Sequence, residues 1–165
     1  MKATALLKQQ HDEVKAIFKS LEHGNGNAQA LLDKLATSLA AHMVIEQTLF
    51  YPAMIDVKED LVLESYEEHA VARFALKRVL KADRGDASFK AKITTLRELI
   101  DHHVVEEEQD LFPKAEKVLG EGSEALAMQM KELFDATVEQ GYDEVLGKGG
   151  SAVKSASAPG HHHHA

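Results

Sequence analysis

The sequence predicts an all-α fold: an antiparallel up-and-down four-helix bundle with an additional C-terminal helix and a disordered tail. Three observations carry this reading. Apolar residues recur at helical spacing in almost every segment, no run alternates as a half-buried strand does, and the turn-forming stretches between segments are short. At 165 residues the chain has the length of one domain with a real core.

Leu6, Leu7, Val14, Ile17, Phe18 and Leu21 stripe a first helix, which the turn sequence GNGN at 24–27 ends. Leu31, Leu32, Leu35, Leu39, Met43, Ile45 and Leu49 stripe a second, with Asn27 as its N-cap and Pro52 expected to kink or end it. A third helix runs from about Leu61 through Val71, Phe74, Leu76 and Leu80, with Gly85 as its C′ residue. A fourth carries Phe89, Ile93, Leu96, Leu99, Ile100 and Val104 and reaches Pro113 and Leu119. Another, from about Ser123 to Leu146, lies against the bundle and completes a domain of residues 1–146. Residues 147–165, GKGGSAVKSASAPGHHHHA, are rich in Gly, Ser and Ala and read as a disordered tail. The four histidines of that tail look like a purification-tag remnant and stand apart from the site.

Composition narrows the chemistry. With 27 Asp and Glu against 19 Lys and Arg, the net charge of -8 repels nucleic-acid backbones and anionic membranes, so neither is an expected partner. The absence of cysteine removes disulfides, iron–sulfur clusters, thiolate zinc sites and cysteine nucleophiles. The N-terminal MKATALLKQQHDE has an apolar patch too short for a signal peptide, and no stretch approaches a membrane span, so a cytoplasmic location is expected.

The chemistry-bearing pattern is a repeat. HMVIEQTLFYP, from His42 to Pro52, matches HVVEEEQDLFP, from His103 to Pro113, in reading His, three residues, Glu, five residues, Pro. Histidine and glutamate at i and i+4 share a helix face about 6 Å apart, close enough to reach one metal ion or two adjacent ones. Each pair follows a helix with a spaced single histidine, His11 before His42 and His69 before His103. One helical hairpin is therefore written twice, and two facing hairpins bring four histidines and two glutamates to the bundle centre. A sulfur-free His/Glu set suits a pair of iron or manganese ions, whose charge offsets the buried carboxylates.

Taken singly, these residues have plainer explanations. A histidine on an apolar face is usually core, Glu106 and Glu108 read as a solvated face, and Leu49, Phe50, Leu111 and Phe112 read as packing. Packing alone, however, does not demand the same His, Glu and Pro spacing in two hairpins. The repeat also chooses between adjacent histidines: His102 and His103 point about 100° apart, and the spacing selects His103. A ferritin-like oxidase would need Glu-x-x-His, which is absent, and a His-Asp phosphohydrolase would need a histidine upstream of His11-Asp12. A metal-free helical interaction module is the remaining rival.

His11, His42-x3-Glu46, His69 and His103-x3-Glu107, with Pro52 and Pro113, resemble the hemerythrin-like HHE cation-binding domain over roughly residues 5 to 120. The resemblance implies a four-helix bundle around a bridged non-haem di-iron centre. His11 and His42 would serve one iron, His69 and His103 the other, and Glu46 and Glu107 both. It implies small ligands such as dioxygen, peroxide or nitric oxide, with a sensor or scavenger role, or alternatively reversible oxygen binding or iron storage and delivery. Oxygen carriers of the family have a fifth histidine one turn after the third-helix histidine, where HAVAR places Arg73. Both irons would then keep an accessible position. Members that repair iron–sulfur centres carry a cysteine-containing domain, which a cysteine-free chain does not match. Tyr66, one turn before His69, either occupies or hydrogen-bonds such an open position or, as the preferred reading, packs at the bundle edge with its hydroxyl wet.

Overall fold

The computed structural model describes residues 1–147, and among these there are helices and turns but no strand. The expected tail, from residue 148 onward, lies outside the described residues; Gly147 itself belongs to the last helix. Helix α1 (Ala3–Glu22) leads through Gly24 and Gly26, both at positive φ, into α2 (Ala28–Ile45). Asn27 caps α2 as expected, its side chain accepting from the Ala30 N–H at 2.9 Å.

Proline does not end the second helix. A π-helical turn at Glu46–Phe50 is followed directly by α3 (Tyr51–Met54), which has Pro52 in its first turn. The fourth predicted helix repeats this: α5 (Ser88–Glu106), a π turn at Glu107–Leu111, then α6 (Phe112–Leu119) with Pro113 in its first turn. Each widened turn closes on its glutamate, since the Tyr51 N–H donates to the Glu46 carbonyl and the Phe112 N–H to the Glu107 carbonyl. A proline ring collides with the carbonyl four residues back in a regular helix. The i→i+5 turn moves that carbonyl aside and lets the helix continue.

Between them lies α4 (Glu59–Lys81). It ends at an extended Ala82, so Gly85 falls in the following loop and is not the C′ residue. The last predicted helix is two, α7 (Gly122–Gln140) and α8 (Tyr142–Gly147), separated by Gly141 at φ +90°, a backbone angle that glycine supplies without strain. Helix α1 packs on α2 and α4 on α5, while α7 lies along α2 and α1. No helix among the described residues is long and apolar enough to cross a membrane.

The core is in two parts. One cluster holds Val14, Ile17 and Phe18 with Leu35, Leu39, Leu76, Leu96 and Ile100; the other holds Leu6 and Leu7 with Ile45, Phe50, Val62, Leu111 and Phe112. α1 and α4, and α2 and α5 with their π-turn continuations, run from one cluster to the other, and between the clusters they carry the predicted histidines and glutamates; α7 packs against the second cluster alone. At the far end of the second cluster α1 lacks a local cap. Its Ala3 N–H donates to Ser123 Oγ at 2.8 Å, and Thr4 Oγ1 donates to Glu116 at 2.6 Å, so α6 and α7 satisfy the start of α1.

Two residues of the predicted third stripe are not core. Val71 and Phe74 are exposed, Phe74 at 66%, because burial follows His69, Ala72, Leu76 and Val79, and Phe74 lies two residues from Ala72 on the opposite face. Leu76→Ala is expected to lower unfolding free energy by about 2–5 kcal/mol. Phe74→Ala should change it by under about 0.5 kcal/mol in the same urea titration, and equal losses would contradict this assignment of faces.

Candidate metal centre

The two π turns begin at Glu46 and Glu107, and the helical turn before each carries His42 and His103. These side chains meet His11 from α1 and His69 from α4, and all six predicted residues are buried together. His11, His42, Glu46 and Glu107 bring ligand atoms within 4.8 Å of one another, and so do Glu46, His69 and His103. Glu46 stands in both groups. His103 faces this centre, whereas His102 points outward, its side chain 69% exposed and near Glu106 and Glu68.

Every imidazole has one nitrogen anchored and the other turned inward. The four Nδ1 atoms meet side-chain oxygens: His11 with Glu108 at 2.7 Å, His42 with Gln10 at 2.7 Å, His69 with Gln47 at 2.8 Å and His103 with Glu68 at 2.6 Å. Donating Nδ1–H to these acceptors fixes the tautomer that leaves an Nε2 lone pair for the centre. The halves are related here too: Gln10 and Glu68 precede the single histidines, and Gln47 and Glu108 follow the glutamates. Sequence reasoning missed all four and took Glu108 for a solvated residue. The repeat contained the signal, because the anchors are chain neighbours of the ligand candidates.

Tyr51 is the other residue that the reading missed. Fully buried, it places its hydroxyl 3.0 Å from Glu46 Oε1, 3.2 Å from His69 Nε2, 3.0 Å from His103 Nε2 and in contact with Glu107 Oε2. Tyr66, the tyrosine singled out from sequence, is buried rather than wet at an edge. Its hydroxyl donates to the Gln47 carbonyl at 3.2 Å, and burial pushes its pKa up to about 12. Arg73 is half-buried on α4.

Burial opposes charge on His103, but Glu107, Glu46 and Glu68 outweigh it and hold the imidazolium well above its ordinary range. Burial likewise opposes charge on His11, and Glu107, Glu46 and Glu108 raise its pKa. For His69 burial prevails and the pKa falls. Both carboxylates resist burial and are held below the usual range, Glu46 by His42, His103 and His69, and Glu107 by His103 and His11 against repulsion from Glu46. Burial, then Glu107 and Glu46, push the Tyr51 phenol well up.

The arrangement fits cations. His11 Nε2, Glu46 Oε2 and Glu107 Oε1 are buried without a hydrogen-bond partner, which is costly unless a positive charge meets them. Facing donors are also spaced as ligands. His11 to Glu107, His42 to Glu46 and His103 to Glu107 are each 3.2 Å, and His69 to Glu46 is 3.0 Å. Adjacent corners of an octahedron stand ~3 Å apart when each donor is roughly 2.1 Å from the ion.

A family model described as the hemerythrin HHE cation-binding domain matches residues 2–115. The chain belongs to that family. The fold of this HHE domain is similar to the crystal structure of an HHE cation-binding domain-containing protein from Mycobacterium kansasii. The TM-score is 0.78, with 22% identity over 94% of this chain and 99% of that one. No curated protein sequence matches this HHE chain.

Protonation has a direct consequence for the metal-free domain. His11 and His103, raised from 6.5, contribute stability that is full below that value and lost as pH rises through their folded values; His69 acts oppositely. Glu46 and Glu107, lowered from 4.5, contribute stability that is lost only as pH falls through their folded values. Chelator-treated protein is therefore expected to melt at a higher temperature near pH ~6 than near pH ~8. An equal or higher melting temperature at the alkaline end would show the imidazoles to be neutral throughout.

Proposed function

We propose that this domain, residues 1–146, holds two iron ions and binds or reacts with dioxygen, peroxide or nitric oxide as a sensor or scavenger. One ion is assigned to His11 and His42, the other to His69 and His103, with Glu46 and Glu107 serving both. The observation that carries the reading is the set of four inward Nε2 atoms, each with its Nδ1 anchored, facing two buried carboxylates at ligand spacing. Iron fits this set better than zinc, because mixed imidazole and carboxylate donors without sulfur suit a bridged pair of redox-active ions. When bound, such ions supply electrons and open coordination positions to small molecules.

The chain's own residues set which molecules fit. A cavity of about 20 Å³ adjoins all four imidazoles, and its other lining includes Val14, Leu39, Met43, Ala72, Ile100 and Val104. That is room for roughly one water-sized molecule. Its apolar wall suits a diatomic gas or peroxide and excludes organic substrates. With Arg73 where a carrier has its fifth histidine, this domain supplies two imidazoles to each ion, which favours reaction over reversible storage.

Protein expressed with ample iron is expected to contain about two irons per chain, with near-ultraviolet bands of bridged ferric ions. His103→Ala should lose most of this iron and His102→Ala keep it, since only His103 faces the centre. Stoichiometric zinc, or the reverse order of the two variants, would refute the assignment.

Oxygen distinguishes a reactive protein from a carrier. Reduced protein mixed with oxygen and then flushed with argon is expected to stay oxidised until reductant is added. Recovery of the colourless reduced form under argon alone would instead mark a carrier.

A further inference from the structure

The two halves carry the same histidines and glutamates, exchange Gln for Glu at their Nδ1 anchors, and differ in the aromatic residue that faces the centre. Phe50-Tyr51-Pro52 occupies the place of Leu111-Phe112-Pro113, so a phenol stands in one half where a phenyl stands in the other. Phe112 stacks on His11 with ring centroids 5.8 Å apart and planes 7° from parallel. Tyr51 tilts by 43° to His69 at 5.3 Å. A phenyl would satisfy packing here, since Tyr51 is surrounded by Phe50, Met54, Val62 and Tyr66 in the second core cluster. Its hydroxyl, fully buried, is costly unless it is used.

The hydroxyl's surroundings say what it is used for. It has one proton to donate, yet four acceptor atoms converge on it: Glu46 Oε1, Glu107 Oε2, His69 Nε2 and His103 Nε2. With Nδ1 of both histidines anchored to Gln47 and Glu68, their Nε2 atoms bring lone pairs toward the phenol oxygen. With the imidazoles neutral, as a metal requires, one hydrogen bond leaves the other contacts repulsive. A cation among the five atoms makes all of them favourable, and the 3.0 to 3.2 Å spacings from the phenol oxygen to Glu46 and both imidazoles are edges of an octahedron about such an ion.

We propose that Tyr51 is a ligand, as phenolate, of the ion held by His69 and His103, and that the two ions are therefore chemically unequal. As the ion binds, the phenol O–H bond breaks, the oxygen–metal bond forms and the proton leaves to solvent, as ligand protons do on metal binding. No electron moves. Tyr51 belongs to one core cluster, while the apolar residues lining the small cavity belong to the other. The phenolate thus closes the His69/His103 ion from one end, and the ion of His11 and His42, with no oxygen opposite Phe112, keeps the more open position for a small molecule.

This proposal rests on the di-iron reading, and one experiment separates them. Wild-type, Tyr51→Phe and Tyr66→Phe proteins are loaded with iron in air, their iron is counted, and absorption and resonance Raman spectra are recorded. Tyr51→Phe reproduces what the other half already has, so folding is expected to survive, checked by circular dichroism. The wild type should show a visible phenolate-to-iron charge-transfer band with enhanced tyrosinate ring vibrations that shift on incorporation of ring-deuterated tyrosine. Tyr66→Phe should retain the band. Tyr51→Phe should lose it completely while keeping two irons and the near-ultraviolet bands. Two irons per chain without tyrosinate vibrations in the wild type, or vibrations that survive Tyr51→Phe, would overturn the ligand assignment and leave the di-iron reading intact. Absence of bound iron from the wild type would overturn both.

Discussion

Two buried carboxylates, Glu46 and Glu107, impose the constraint on which the rest of the structure depends. An uncompensated charge in the interior costs several kcal/mol, a large share of the ~5–15 kcal/mol that stabilises a domain. The fold answers by bringing basic groups to them from four helices: His11 from α1, His42 from α2, His69 from α4 and His103 from α5. The apolar core is consequently divided, with one cluster on either side of a polar layer. Positive charge belongs in that layer, because even with His11 protonated toward Glu107 Oε1 the buried Glu46 Oε2 has no partner.

Much of this was legible in the sequence. Helical periodicity gave the elements, and the duplicated His-x3-Glu-x5-Pro pattern identified six residues that do converge, with His103 rather than His102 facing in. The misses have physical reasons. Val71 and Phe74 are apolar but lie off the face that His69, Ala72 and Leu76 define, and an apolar list does not weigh angle. Gly85 was taken for a helix stop because glycine often ends helices, but Lys81 already ends α4 and Gly85 has no positive φ. Tyr51 was hidden by resemblance: it occupies a place where the second hairpin has Phe112, and a comparison that looks for sameness passes over a single added oxygen.

The prolines show how local sequence and site geometry are joined. Read alone, Pro52 and Pro113 are helix breakers; in the structure each follows a widened turn whose first residue is the buried glutamate. The extra residue in that turn changes which side chains face inward after it, so Glu46 is followed at five residues' distance by Tyr51, and Glu107 by Phe112. A regular helix would not keep both the carboxylate and the aromatic ring at the centre, since five residues advance the direction by about 500°, well off a whole number of turns.

The beginning of α1 carries a consequence for the order of events in synthesis. Its first N–H groups find their acceptors on Glu116 and Ser123, and His11 finds its anchor on Glu108. During translation, therefore, the first helix emerges with its leading end unsatisfied and its histidine unsupported, and stays so until its acceptors, 97 residues beyond His11 and 112 to 120 beyond Thr4 and Ala3, have left the ribosome. The earlier hairpin, α1 with α2, can pair its apolar faces on the way, but its polar positions wait for the later one. Completion of the last third of the chain is what converts a nascent helical hairpin, still open to wrong partners, into a finished interior.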